Sequence, residues 1–267
     1  MSDESFIRRH SLAIYFVLVH LIAWIGSFAA VGSKFLQGSV IEFSDIGLMS
    51  LPMLTAPIIS GLLMSYLADG RKGISELCGR MKIWKVGGRW YLPLLIFPTL
   101  LLCVSLALSF LISAEFALTF NTFGIFGGLL AGLLEEIGWT GFAFPKMIRK
   151  TNILKASIYL GVIHGFWHLM ADILGNYNAL GDVWLPYFIG FVLHVVALRV
   201  LIGWVYANTR SLLLAVLMHA SSTGFYGILI SITLLPQNRM IFYIVYGIVL
   251  CITASIIVLK YGKNLKT

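Results

Sequence analysis

Two adjacent glutamates, Glu135 and Glu136, interrupt an otherwise apolar stretch running from Phe116 to Pro145. The local sequence GGLLAGLLEEIGWTGFAFP reads as a membrane-spanning helix with two carboxylates partway along it. One charge at a bilayer centre costs about 2.5 kcal/mol or more, so a consecutive pair calls for a chemical reason. Three histidines, His164, His168 and His219, follow on later apolar segments. Carboxylates and imidazoles inside a membrane are the parts of a proton relay or of a hydrolytic site. In the hydrolytic reading one glutamate is a general base that activates water, and the other orients a partner or holds a proton. Neighbouring helical residues point about 100° apart, so only one of the two faces a common centre squarely. His164 and His168 stand four residues apart on one helical face, the spacing by which a helix offers two imidazoles to one metal. Asp172 continues that face by a further turn. His219 is followed by Ser221, Ser222 and Thr223, whose hydroxyls can hydrogen-bond it. His194 has no acid or second histidine near it in sequence and reads as structural, as does His20.

The elements that must carry these residues are set by composition. Hydrophobic residues make up 59% of the 267 positions and charged residues 11%, with a mean hydropathy of +0.93. A soluble domain carries about 25% charged residues, so the chain reads as an all-α, polytopic integral membrane protein. Its net charge of +8 comes from basic residues in short connections between apolar runs. That pattern indicates topology and contact with anionic lipid, not nucleic acid. Cys78, Cys103 and Cys251 are scattered without metal or disulfide spacing.

A spanning helix needs roughly 20 apolar residues. That ruler predicts about eight spans, over 11–33, 46–68, 91–114, 117–144, 154–174, 184–207, 211–234 and 240–260, in a single membrane domain covering 1–267. Prolines 52, 57, 93 and 98 fall inside spans and predict kinks rather than boundaries. Arg8 and Arg9, the basic run from Arg71 to Arg89, Lys146 to Lys155, Arg210, and Lys260 to Lys266 lie in alternate connections. The positive-inside rule then places both termini in the cytoplasm, in a plasma (cytoplasmic) membrane. The charged segment 70–90 reads as an amphipathic helix on the cytoplasmic face. With that orientation Glu135 lies ~15 Å from the cytoplasmic end of its helix, His219 ~12 Å deep and His168 ~20 Å deep. Three separate helices therefore bring these side chains to one level.

The words EEIGWTGFAFP, HGFWHLM and WVYANTRSLLLAVLMHASST resemble the three-motif signature of the CPBP intramembrane metalloprotease family. That family takes in CAAX prenyl protease type II-like, Abi and bacteriocin-processing or self-immunity proteins. Its motifs are E-E-x-x-x-R, F-x-x-x-H and H-x-x-x-N on successive spans of an eight-helix fold. The resemblance covers roughly residues 90–232. It implies that Glu135 and Glu136 are the paired glutamates, His168 the second-motif histidine and His219 the third. Thr140 stands where the family often has Arg, His164 where it has Phe, and Thr223 where it often has Asn. A missing guanidinium matters, because an arginine there can pair with one glutamate.

The resemblance implies a hydrolase: an intramembrane endopeptidase cutting a peptide or protein substrate near the cytoplasmic side. Glu135 or Glu136 activates water, His168 and His219 stabilise the oxyanion or bind metal, and His164, Thr140 and Thr223 support them. A zinc ion held by His168 and His219, with Glu135 or His164, is chemically adequate. Two other readings remain at this point. One is a non-catalytic bacteriocin-immunity or membrane-partner protein of the same fold. The other is a proton-coupled carrier, for which acids should spread along a pathway rather than gather at one depth.

Overall fold

The computed structural model describes residues 6–39, 41–230 and 234–267, and every regular element among them is helical. In chain order these are α1 (Phe6–Leu36), α2 (Phe43–Met81), α3 (Ile96–Leu111), α4 (Phe123–Gly138), α5 (Phe144–Ile148), α6 (Ile153–Trp167), α7 (Leu169–Leu180), α8 (Trp184–Thr209), α9 (Leu212–Leu229) and α10 (Pro236–Tyr261). Among the described residues six helical stretches are long and apolar enough to cross a membrane: Phe6–Leu36, Ser44–Met81, Gly88–Leu111, Leu169–Thr209, Leu212–Leu229 and Pro236–Asn264. Their outward faces carry large apolar side chains such as Ile25, Phe110, Leu185 and Leu259, all exposed. Such a belt is suited to lipid and not to water.

The expected spans 117–144 and 154–174 are each divided, and they are the two that hold the glutamates and the paired histidines. After α4, the five residues Trp139–Ala143 form a π-helical turn that leads into α5. Its wider hydrogen-bond register lets the helix continue past the glutamates with Trp139 and Thr140 turned inward. In the second case α6 stops at Trp167, and His168 is the joint before α7. Pro52 and Pro57 lie inside α2, which runs through both. The residue of α2 that leaves helical geometry is Gly70, at φ 61° and ψ −152°. That region is essentially open to glycine alone. It separates the charged stretch Arg71–Met81 from the apolar part of the helix, where sequence reasoning placed an amphipathic segment. Arg80 ties that stretch to the interior by donating to Tyr206 Oη at 2.9 Å and to the Gly141 carbonyl at 2.6 Å.

Close approach of helices brings the site together. Gly124, Gly128 and Gly132 recur every fourth residue on one face of α4, the face that Glu136 continues. A Cβ at Gly128 would run into the backbone of Gly224, and one at Gly132 into the Val216 carbonyl. The stripe is therefore in backbone contact with α9, as small-residue stripes allow in membranes. Gly161 of α6 meets the backbone of Val196 on α8 in the same manner, and Gly165 packs closely on the Val192 side chain.

Candidate active site

Glu136 faces α9 because it lies four residues beyond Gly132, and it is fully buried. His219 Nδ1 donates to its Oε1 at 2.7 Å. The Thr140 hydroxyl, one turn along, donates to Oε2 at 2.5 Å. Arg199, from the middle of α8, closes the set: Nη1 donates to Oε2 at 2.8 Å and Nη2 to Oε1. The guanidinium is itself only 2% exposed. A buried carboxylate with a bidentate arginine is a neutralised pair; either group alone would be an uncompensated charge.

Glu135, rotated to the next face of α4, meets α6 instead. Its Oε2 accepts from His164 Nε2 at 3.0 Å, and His219 Nε2 lies 3.9 Å away. Among the described residues His164 is its one hydrogen-bond partner at normal distance. His164 is enclosed by Trp139, stacked at 4.9 Å between ring centroids, and by Trp167 at 5.6 Å. Its other nitrogen, Nδ1, accepts from Arg199 Nε at 3.1 Å. His168 stacks on His164 at 5.3 Å and packs against Phe191. It is half-buried, the most accessible member of the group.

Glu135, Glu136, Thr140, His164, His168 and His219 thus gather at one place, on four elements. Both glutamates, His164 and His219 are buried. Thr223 is exposed on α9 and outside the buried cluster, although it stands four residues beyond His219, about 40° around the helix. The hydroxyl that turns inward is Ser222, 3.0 Å from Nε2 of the buried His194. Asp172 is also apart, accepting from Trp184 Nε1 at 2.7 Å and Tyr187 Oη at 3.1 Å. His164, expected to be an accessory, is central. Arg199 was not anticipated at all, although a lone arginine inside FVLHVVALRVLIGW obeys the same rule that singles out the glutamates.

One ligand atom from each of Glu135, His164 and His168 lies within 4.8 Å of the others, a donor set of the kind zinc takes. The hydrogen-bond senses do not suit it. Arg199 Nε carries a fixed N–H, so Nδ1 of His164 supplies the lone pair for that contact. The single proton of the neutral imidazole is then on Nε2, directed at Glu135, where a metal would need a lone pair. His164 does not fit as a metal ligand in this arrangement.

Residues 117–225 match a family model described as type II CAAX prenyl endopeptidase Rce1-like. Over 235 residues the chain is 24% identical to CAAX prenyl protease 2 of Methanococcus maripaludis, covering 79% of this chain and 82% of that protein. The matched segment takes in all the residues of the buried cluster.

Proposed function

We propose that this chain, which belongs to the CPBP family of CAAX-type intramembrane endopeptidases, uses Glu135 as the general base for hydrolysis of one peptide bond near the cytoplasmic face. The observation that carries this is the unequal treatment of the two carboxylates. Glu136 accepts from Arg199, His219 and Thr140, which leaves no open site for water. Glu135 accepts one well-formed hydrogen bond, from His164, with the Trp139 indole N–H the other donor beside it.

His219 gives its Nδ1 proton to Glu136, so its Nε2 presents a lone pair 3.9 Å from Glu135 Oε2. A water lodged against both donates one proton to each and turns its own lone pair towards an incoming carbonyl carbon. Glu135 takes that proton as the oxygen attacks and returns it to the leaving amine. His168 is the neighbouring imidazole left to donate to the oxyanion, where donors placed in a dry site act most strongly. Glu136 and Arg199 hold the frame. The relative's name points to a substrate with a prenylated C-terminal CAAX sequence. An apolar cavity of about 540 Å³ lined by Leu94, Phe120, Ile125, Leu129 and Leu217 is of a kind that takes a lipid chain.

The test is cleavage of a farnesylated CAAX-type peptide by the full-length protein in detergent. Glu135→Gln keeps the shape and the His164 contact, so kcat should fall about 1,000-fold with the melting temperature unchanged. Glu136→Gln should lower melting temperature as well as activity, because Arg199 loses its charge partner. Activity of Glu135→Gln within threefold of wild type would remove Glu135 from the reaction.

A further inference from the structure

The geometry points to Arg199 as a positioning residue that selects the tautomer of His164 and so keeps the His164 Nε2–H aimed at Glu135. This rests on the reading of Glu135 as the base.

Arg199 sits on the stripe of α8 that faces α6. Along that stripe Val192 meets Gly165, Val196 meets Gly161, and a Cβ at Gly203 would strike the Ser157 hydroxyl. The two helices are locked at short distance above and below Arg199, which directs its stem between α6, α4 and α9. There the guanidinium divides its donors. The two terminal nitrogens clamp Glu136, and Nε reaches His164 Nδ1 at 3.1 Å. A guanidinium has N–H groups and no lone pair, so that last contact has a single sense. His164 accepts at Nδ1, keeps its proton on Nε2, and donates it to Glu135 at 3.0 Å.

Charge and direction are thus separate contributions of one side chain. Lysine at 199 supplies the charge for Glu136 without the fixed fork that also reaches His164. An arginine moved to position 140 also supplies charge: the Thr140 hydroxyl is 3.4 Å from Arg199 Nη1, so a side chain at 140 already points at the guanidinium. Neither replacement keeps a donor from α8 fixed on Nδ1.

The experiment uses full-length, nitrogen-15-histidine-labelled protein in lipid nanodiscs. The variants are Arg199→Lys and the double exchange Thr140→Arg with Arg199→Leu, which keeps Glu136 opposite a cation. Side-chain nitrogen shifts of His164, assigned by their loss in His164→Phe, report the tautomer. Cleavage of a farnesylated CAAX-type peptide reports kcat and KM. Wild type should show His164 wholly as the Nε2–H form. Both variants should show a mixture and a kcat lower by about 100-fold, as for a misaimed catalytic group, with KM little changed. An Nδ1–H form in wild type, or a variant that retains both the pure tautomer and kcat, overturns the assignment. If wild type does not cut the probe, the peptidase reading fails on its own, and the nitrogen shifts still decide the role of Arg199.

Discussion

At Glu136 both carboxylate oxygens are occupied by donors from three elements, whereas Glu135 accepts one well-formed hydrogen bond, from His164. The difference arises from a 100° step around α4, which turns one residue to α9 and α8 and the other to α6. Thr140→Val tests how tightly Glu136 is held. It removes a hydrogen bond to a buried charge, so it should cost about 1.5–3 kcal/mol of stability in a denaturation series. Thr223→Ala, on the exposed face of α9, should stay within about 0.5 kcal/mol and leave activity unchanged. If Thr223→Ala proves the more damaging of the two, Thr223 belongs to the site with His219, one turn before it. Residue type and depth alone led to Glu135, Glu136, His168 and His219. They did not rank His164 against Thr223, because depth along a helix says nothing of which neighbour a face meets. Arg199 is conspicuous in sequence, but its partner, sixty-odd positions earlier, becomes evident only once α8 is packed beside α4.

Helix α4 owes its place to three glycines spaced by four, and Glu136 owes its contacts to being the next position in that series. Gly128→Val puts a branched side chain where the Gly224 backbone lies. The helices must separate there, at a cost of about 1–3 kcal/mol typical of overpacking. His219 should then lose Glu136, and peptidase activity should fall well beyond what a modest drop in thermal midpoint explains. A variant with wild-type activity would mean that the α4–α9 contact does not set the site. The stripe G-x-x-x-G-x-x-x-G is readable in sequence, as is the helical character of each span. The π-helical turn at Trp139–Ala143 and the joint at His168 are not, since hydropathy carries no record of hydrogen-bond register. Both interruptions fall beside the residues proposed to react, which is where such departures concentrate.

The whole molecule is a bundle whose lipid-facing surface is apolar and whose two buried glutamates gather with His164 and His219 around one guanidinium. The membrane class and the approximate limits of the helices follow from composition and run length, the strongest signals a single sequence carries. Which helices touch does not follow from either, and the chemistry depends on that. Four helices deliver one carboxylate free to accept from water, one carboxylate tied down, and imidazoles on either side. The central step is the activation of water at Glu135 within the intact bundle. The direct measurement reconstitutes the full chain in liposomes with a farnesylated CAAX-type peptide in oxygen-18 water and reads the products by mass spectrometry. Wild type should release one C-terminal fragment and place a single oxygen-18 in the new carboxylate, and Glu135→Gln should yield neither. Equal, label-bearing cleavage by wild type and Glu135→Gln, or an intact peptide with both, would contradict it.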